Sequence, residues 1–233
     1  MTSITYVERR SQIEDYFDRT AVETWKRLTS DAPVNRIRAT VRAGRDTMRS
    51  TLLDRLPADL AGCRLLDAGC GTGALAVEAA RRGANVVAVD LSLTLIDLAR
   101  SRSAGVSGPG HITFSSGDML APALGDFDYV VAMDSLIHYT SADIVEAIIG
   151  LSWRTRRSML FTFAPRTATL ALMHGVGRLF PRANRAPAIQ PIAEQRMIRH
   201  LAEEPRLALW RVSQVRRVKN GFYISQALEL CRR

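Results

Sequence analysis

The sequence predicts an α/β fold in which a mostly parallel sheet carries helices on both faces. Between residues 64 and 163, short apolar runs alternate with amphipathic segments of helical length, a pattern typical of parallel strands joined by crossover helices. A glycine-rich turn at residues 69–73 follows the first apolar run. Near the C-terminus, two strand-like runs flank Asn220-Gly221, a dipeptide that favours a tight hairpin. These observations predict a seven-stranded sheet that ends in an antiparallel hairpin.

The bounds of each element follow from the period of the apolar residues. Ser92 and Ser141 are expected to cap helices, because a serine hydroxyl accepts a hydrogen bond from a backbone N–H of the first turn. Strands are expected at 64–67, 85–90, 111–115, 128–133, 158–163, 206–218 and 222–230. Helices are expected at 6–18, 21–29, 34–56, 74–82, 92–103, 141–153, 167–180 and 191–203.

Four regions follow from this order of elements. Residues 1–57 are expected to form an N-terminal helical lid, and residues 58–165 a core that binds a nucleoside cofactor. Residues 166–205 are expected to form a helical cap over the substrate site, inserted after the fifth strand. Residues 206–233 are expected to complete the core sheet with the hairpin.

The glycine turn and the acid that ends the second strand indicate a nucleoside site. Glycine suits a backbone that must turn tightly while a ligand approaches it closely, and the helix that begins there presents free N–H groups. Asp90 lies about twenty residues further on, where a carboxylate suits the two hydroxyls of a ribose. The residues predicted to hold the cofactor in this part of the chain are Asp67, Gly69, Cys70, Gly71, Gly73, Asp90 and Leu91.

Two features favour S-adenosylmethionine over a dinucleotide, although the glycine spacing fits both. Asp67 directly precedes the turn, where a carboxylate would repel a pyrophosphate but attract the ammonium of a methionine moiety. Asp118 and Met119 follow the third strand. An acid there can accept a hydrogen bond from the adenine amino group, and the apolar side chain can cover the ring.

The composition indicates a cytoplasmic enzyme without a metal site. The chain has 233 residues, of which 47% are hydrophobic, but no apolar run approaches the ~20 residues of a membrane span. No export signal is recognised at the N-terminus. The three cysteines, Cys63, Cys70 and Cys231, are odd in number and are not spaced as metal ligands.

The positive charge is unevenly distributed along the chain. Residues 58–150 hold 5 arginines and 11 acidic residues, whereas residues 151–233 hold 16 basic and 4 acidic residues. A basic surface can attract a nucleic acid, an anionic membrane or an anionic substrate. Of the 32 basic residues 30 are arginine, so the codon bias of a GC-rich genome is an open alternative. Helix 34–56 carries a stripe of arginines that is either a solvated face or a contact surface: Arg38, Arg42, Arg45 and Arg49.

The segment after the fourth strand is expected to face the sulfonium, because ligands of parallel sheets lie beyond the carboxyl ends of the strands. It runs from Asp134, a further predicted cofactor residue, to Tyr139. It lacks the Asn/Asp-Pro-Pro-aromatic sequence of enzymes that methylate base amines, and the cysteine needed to attack C5 of a pyrimidine. What remains is His138 beside Tyr139, which indicates a nucleophile that needs little activation. A histidine at this position is as often a capping or packing residue.

Taken together, the motifs resemble the magnesium-protoporphyrin IX O-methyltransferase family of chlorophyll and bacteriochlorophyll synthesis. The resemblance extends over nearly the whole chain. It rests on Tyr16-Phe17-Asp18 with Trp25, Val34-Asn35-Arg36, Gly44-Arg45, Asp67 to Gly73, Leu136-Ile137-His138-Tyr139, Phe163-Ala164-Pro165-Arg166-Thr167, Leu179-Phe180-Pro181 and Phe222-Tyr223-Ile224-Ser225.

The resemblance implies a Rossmann-like class I methyltransferase that passes a methyl group from S-adenosylmethionine to a propionate carboxylate of Mg-protoporphyrin IX. It implies that His138 and Tyr16 place the reacting carboxylate, although an aromatic residue on an amphipathic helix is commonly core. The apolar helix at 167–180 is then a lid over the macrocycle. Magnesium chelatase becomes a plausible donor of substrate, and peripheral contact with a membrane is expected.

Two other functions stay open at this level. One is O-methylation of another hydrophobic acid or of a phenol, such as a quinone precursor. The other is a non-catalytic protein that binds a porphyrin or a nucleic acid on the same fold. Nucleic acid is disfavoured because no basic patch is interleaved with aromatic residues. A non-catalytic binder is disfavoured because the motifs of the cofactor site are intact.

Overall fold

The computed structural model describes residues 4–18, 29, 33, 35–106, 108–166 and 188–233. The predicted helix at 167–180 and nearly all of the one at 21–29 lie outside the described residues. Both therefore stay predictions, as does the part that they play in the lid and the cap.

Seven strands form one mixed sheet, in the order β3-β2-β1-β4-β5-β7-β6. The first five run parallel, and β7 is antiparallel to both β5 and β6. The predicted α/β class with its C-terminal hairpin is confirmed. The strands are β1 (Arg64–Ala68), β2 (Asn85–Asp90), β3 (His111–Ser116), β4 (Phe127–Ala132), β5 (Thr155–Phe163), β6 (Trp210–Asn220) and β7 (Tyr223–Arg232).

Helices cover both faces of the sheet, because successive residues of a buried parallel strand point to opposite sides. Leu66 packs into the apolar cluster that contains residues of α1, α5 and α6, whereas Leu65 packs with α2 and α3. No helix among the described residues is long and apolar enough to cross a membrane. The helices are α1 (Ile4–Tyr16), α2 (Arg36–Leu53), α3 (Ala74–Arg81), α4 (Leu93–Ser103), α5 (Ser141–Ser152) and α6 (Glu194–Ala202).

Several predicted boundaries are wrong by a few residues. Residues Pro205–Leu207 form a 3₁₀ turn, and β6 begins only at Trp210, because Pro205 lacks a backbone N–H for the ladder and favours a helical first turn. Thr140, rather than Ser141, caps α5 by accepting a hydrogen bond from the N–H of Asp143. The predicted cap at Ser92 is confirmed, since its hydroxyl accepts from the N–H of Leu95.

The long helix α2 is held against the hairpin by a very close contact. Met48 and Leu52 on its inner face are fully buried, whereas Ile37, predicted on the same stripe, is 51% exposed. Gly44 faces Tyr223, and a Cβ at Gly44 would lie 2.5 Å from Cδ1 of that ring. The absence of a side chain at Gly44 therefore brings α2 down onto β7, beside the carboxyl edge of the parallel strands.

We expect the substitution Gly44→Ala to destabilise the fold by about 1–3 kcal/mol, because the added methyl group overpacks the contact with Tyr223. Urea unfolding followed by circular dichroism measures this. Gly150→Ala is the matched control: Gly150 lies in α5, and its Cβ would meet only Leu120, at 3.6 Å. The control should gain up to about 1 kcal/mol from helix propensity. Equal effects of the two substitutions would contradict the close packing of α2.

Candidate active site

The glycine turn between β1 and α3 has the geometry that only glycine readily adopts. Gly69, Gly71 and Gly73 all have positive φ angles, of 83°, 53° and 79°. A Cβ on Gly69 would also lie 2.3 Å from the Cβ of Ser135. The N–H of Gly69 donates to the carbonyl of Val89 at 2.7 Å. The glycine turn therefore packs closely between the ends of β2 and β4, where a ligand can reach the backbone of the turn.

Asp90 connects the glycine turn to the loop after β2. Its carboxylate accepts hydrogen bonds from the N–H of Gly71, at 2.8 Å, and from the N–H of Ser92, at 3.0 Å. Burial nevertheless raises the pKa of Asp90 above its ordinary value. Asp90 and Leu91 both line a cavity of about 320 Å³. A carboxylate fixed in this way is ready to accept further bonds from ribose hydroxyls.

Asp67 is a buried acid whose surroundings favour a cationic ligand. Its side chain is almost fully buried, and its Oδ2 has no hydrogen-bond partner in the part of the chain that the structure describes. Burial, and then the charge of Asp90, raise the pKa of Asp67 to about 7, although a bond from the N–H of Ala76 opposes the shift. An unpartnered buried carboxylate is unfavourable, so the ammonium of an amino acid would stabilise it.

A second cavity, of about 250 Å³, surrounds Asp67 and shares Gly69, Arg45 and Met133 with the larger one. The amino-acid moiety of a ligand in this second cavity would have both Asp67 and the arginines of α2 as neighbours. This surrounding suits a zwitterion, which carries an ammonium and a carboxylate. Part of the arginine stripe of α2 therefore lines this second cavity, so the stripe is not only a solvated face. The residues lining this cavity include Cys70, Thr72, Arg42, Arg45 and Arg49.

Asp118, predicted to bind adenine, is engaged by α1. Its Oδ2 accepts from Arg10 at 2.6 Å, and its Oδ1 accepts from the hydroxyl of Tyr6 at 3.0 Å. Met119, the other residue of this prediction, is buried and lines the larger cavity. The adenine roles of both stay predictions. Arg10 and Tyr6 were missed at the sequence level, because no local pattern links α1 to the end of β3.

Asp134 lies two residues after β4 in a left-handed conformation, with φ of 55°, and forms the centre of a polar cluster. Arg45 of α2 donates to its Oδ2 at 2.6 Å. The hydroxyl of Tyr223 lies 3.0 Å from both carboxylate oxygens, and the hydroxyls of Thr162 and Ser225 bond Oδ1. Burial, and then the charge of Asp134, raise the pKa of Tyr223. The structure thus makes Asp134 a link between elements, and its predicted role in binding the cofactor stays a prediction.

His138 and Tyr16 line the same cavity as Asp90, although they are far apart in the sequence. His138 is only 7% exposed, on the segment between β4 and α5. Tyr16, at the end of α1, is half-buried, and burial raises the pKa of its hydroxyl. The structure therefore brings the two predicted catalytic residues and the cofactor motifs together. The rest of the lining is largely apolar: Ile13, Phe17, Leu95, Met119, Met133 and Ile137.

Ser135 is a further residue of the site that sequence reasoning missed. Its Oγ is buried and has no hydrogen-bond partner among the described residues, and the side chain lines the cavity beside Gly69. A buried hydroxyl without a partner costs about 1–3 kcal/mol. A polar ligand atom at this point would recover that free energy. The only signal in the sequence was its position in the segment that follows β4.

Comparison with known proteins places this site in a defined context. Residues 132–232 match the family model described as the magnesium-protoporphyrin IX methyltransferase C-terminus, and residues 65–155 match a general methyltransferase domain. The magnesium-protoporphyrin O-methyltransferase of Rhodobacter capsulatus is 51% identical over 225 residues, which cover 96% of this chain and 97% of the relative.

Two further matches differ in how much of the chain they cover. A crystal structure of magnesium protoporphyrin IX methyltransferase from Synechocystis PCC 6803 with bound SAH aligns with a TM-score of 0.80 at 27% identity, over 96% of this chain and 100% of that one. A ubiquinone biosynthesis O-methyltransferase from Xanthomonas oryzae pv. oryzae is 35% identical, but over only 53% of this chain and 54% of the relative.

The raised pKa of Asp67 predicts a pH-dependent stability without ligand. The folded protein keeps this proton up to about pH 7, whereas the unfolded chain releases it near 3.8. The free energy of unfolding should therefore fall as the pH rises through this window. Asp67→Asn cannot ionise, so its stability relative to the wild type should increase by roughly 2–3 kcal/mol between pH 5 and pH 8. Urea unfolding at the two pH values measures this.

The matched control for this experiment is Asp97→Asn in α4, since the side chain of Asp97 is 63% exposed. Its stability relative to the wild type should be nearly the same at pH 5 and at pH 8. A difference for Asp67→Asn as small as that of the control would contradict the buried, protonated Asp67.

Proposed function

This chain belongs to the magnesium-protoporphyrin O-methyltransferase family, and from that premise we propose that it methylates one propionate carboxylate of Mg-protoporphyrin IX, giving the monomethyl ester. The observation that carries the proposal is the 51% identity to the Rhodobacter capsulatus enzyme over nearly the full length of both chains. The largely apolar cavity that joins the nucleoside motifs to His138 and Tyr16 supports it.

The methyl group comes from S-adenosylmethionine, whose sulfonium supplies an activated methyl. The residues of this chain fit such a ligand. The Oδ2 of Asp67, which has no hydrogen-bond partner among the described residues, would hold the ammonium, and the arginines of α2 would hold the methionine carboxylate. Asp90 would accept bonds from the ribose, and Leu91 and Met119 would pack beside the adenosine.

Little general base catalysis is needed for this reaction. A propionate with an ordinary pKa of ~4.3 is already ionised at pH 7, so the protein has to hold its oxygen in line with the transferred methyl. Such positioning can contribute several kcal/mol to the lowering of the barrier. His138 and Tyr16 each carry a ring N–H or O–H that can donate to the carboxylate. Their place in the same cavity as Asp90 supports this role.

The alternative substrates differ in what they require of the cavity. The match to the ubiquinone biosynthesis enzyme covers about half of this chain. It therefore supports a shared methyltransferase core, but the other half of this chain is not similar to that enzyme in this match. A small phenol would also need a base to remove its proton, because the pKa of a phenol is near 10. A flat macrocycle with ionised carboxylates fits the apolar lining better.

The experiment that tests the function is incubation of the full chain with labelled S-adenosylmethionine and separate porphyrins. Mg-protoporphyrin IX should yield a labelled monomethyl ester, identified by mass spectrometry. Metal-free protoporphyrin IX and a quinone-precursor phenol serve as competing substrates. Methylation of the phenol without methylation of any porphyrin would overturn the proposal.

We expect His138→Ala to lower kcat by about 10²–10³-fold while porphyrin affinity changes less, since the side chain positions the reacting carboxylate. Single-turnover kinetics and porphyrin titration separate the two quantities. His200→Ala is the control, because His200 lies on α6 and does not line the cavity. A variant that loses thermal stability but keeps its turnover per folded molecule would show that His138 only packs.

We also propose peripheral contact with an anionic membrane, from which a poorly soluble substrate can enter, and magnesium chelatase as its protein donor. Ile37 and Phe222 are large apolar side chains, 51% and 46% exposed. The N–H of Phe222 donates to Thr40 of α2, so the hairpin turn lies next to the start of that helix. Arg36 and Lys219 lie on the same two elements and are exposed, which gives an apolar and basic surface at the active-site end of the sheet.

The membrane proposal predicts salt-sensitive binding to vesicles that contain an anionic lipid. The double substitution of Ile37 and Phe222 by serine should weaken co-sedimentation with such vesicles several-fold, because the apolar anchors are lost. Trp153→Ser is the control, since Trp153 is 75% exposed but precedes β5, at the opposite edge of the sheet. No binding of the wild type at low salt, or equal loss in the control, would contradict the proposed surface.

A further inference from the structure

A separate cavity of about 240 Å³ is lined in part by Thr140 and Ser141, which directly follow the segment that carries His138. Its described lining is polar at one end and contains no acidic residue. The residues that matter for its chemistry are Thr140, Ser141, Arg166, Gln190, Ile192 and Arg196. None of the predicted cofactor residues lines this cavity, and all of them except Gly73 and Asp118 line the two cavities described above.

The two arginines of this cavity have no anionic partner among the described residues. The acids nearest in sequence are already engaged: Glu194 bonds Arg217 at 3.1 Å, and Asp143 accepts from the hydroxyls of Thr5 and Thr140. Arg166 and Arg196 are both exposed to water, and together they place two positive charges around one space in which the structure describes no carboxylate. A bound anion would compensate this charge.

The first turn of α6 adds backbone N–H groups to this cavity, although the charge of Glu194 in the same turn, which Arg217 partly neutralises, opposes their effect. The helix has nine residues, and its N-cap, Ala193, makes no side-chain hydrogen bond to the first turn. Ala193 also lines the cavity. Backbone N–H groups at an uncapped helix start carry a partial positive charge. The anion-binding character of the cavity therefore rests on two guanidinium groups together with this helix start.

The cavity is attached to the active site by backbone hydrogen bonds. The N–H of Gln190 donates to the carbonyl of Ile137 at 2.8 Å, and the N–H of Arg166 donates to the carbonyl of Ile192 at 3.0 Å. His138 lines the active-site cavity, and Thr140 lines this one. Tyr139 and Ile189 line the active-site cavity, whereas their neighbours Thr140 and Gln190 line this one, so the two cavities are separated only by adjacent residues of the same two segments.

From this arrangement we infer that Arg166 and Arg196 bind the second propionate carboxylate of the porphyrin, the one that is not methylated. The inference rests on the function proposed above. Arginine suits a carboxylate because its planar fork donates two parallel hydrogen bonds. The anchored propionate holds the macrocycle in one orientation, so that the other propionate lies at His138 and Tyr16.

This arrangement also explains why the reaction would stop at the monomethyl ester. A second methylation needs the remaining carboxylate at His138, and the macrocycle would then place the new ester between Arg166 and Arg196. An ester is neutral and cannot compensate the two guanidinium charges. The arginine cavity thus selects a substrate that still has a free carboxylate in addition to the reacting one.

The test compares Arg166→Gln and Arg196→Gln with Arg199→Gln, a control on α6 whose side chain does not line the cavity. Porphyrin fluorescence titration gives the affinities for the monomethyl and dimethyl esters of Mg-protoporphyrin IX, which differ by one free carboxylate. The wild type and the control should bind the monomethyl ester at least tenfold more tightly. The two cavity variants should lose this preference, because one charge-assisted hydrogen bond accounts for about that factor.

Turnover gives a second readout, which a merely structural role would not move. With the diacid as substrate, the cavity variants should show a KM raised about tenfold and a larger fraction of dimethyl ester at long times, while the affinity for S-adenosylmethionine is unchanged. Variants that keep the ester preference and the product ratio of Arg199→Gln would overturn the inference and leave the methyltransferase function standing. A wild type that binds no porphyrin would overturn both.

Discussion

The partly buried ion pair between Arg45 and Asp134 is the interaction on which the active-site end of the molecule depends. An ion pair in such a place is stabilising only when its remaining hydrogen-bonding groups are satisfied, and here the hydroxyls of Tyr223, Thr162 and Ser225 surround the carboxylate. One side chain thereby joins helix α2 to strands β5 and β7. It does so two residues after the end of β4, where the chain turns through a left-handed conformation.

The segment that follows Asp134 is held at its other end by a different contact. Tyr139 is fully buried and stacks on Tyr6 of α1, with the ring centroids 4.8 Å apart. The hydroxyl of Tyr6 in turn donates to Asp118 beyond β3. Because both ends are fixed, the few residues between them have little freedom. His138 therefore lies on a short, tethered loop rather than on a helix, which suits a side chain whose task is to position a substrate.

The fold was predictable because its signals are local. Alternating apolar runs, the glycine turn and Asn220-Gly221 each determine the structure of their own neighbourhood, and the strand bounds are wrong mainly where Pro205 or Thr140 changes a terminus. The contacts of the site are not local in this sense. Arg10 with Asp118 and Arg45 with Asp134 join residues about one hundred positions apart, so no pattern along the chain could pair them.

The same distinction explains which site residues could be found in advance. Asp67 and Asp90 follow from strand ends and a glycine spacing, whereas Ser135 and Arg196 acquire a meaning only from what packs around them. Asp67 is buried and Asp90 is partly buried next to the cofactor motifs, and the cavity beyond His138 is lined by two arginines without an anionic partner among the described residues. A donor that presents a cation to these acids and an acceptor that presents an anion to these arginines would each be oriented by charge. S-adenosylmethionine, whose ammonium would meet Asp67, and a dicarboxylate acceptor, whose second propionate would meet the arginines, fulfil this requirement, and the reacting carboxylate is then left at His138 beside the sulfonium.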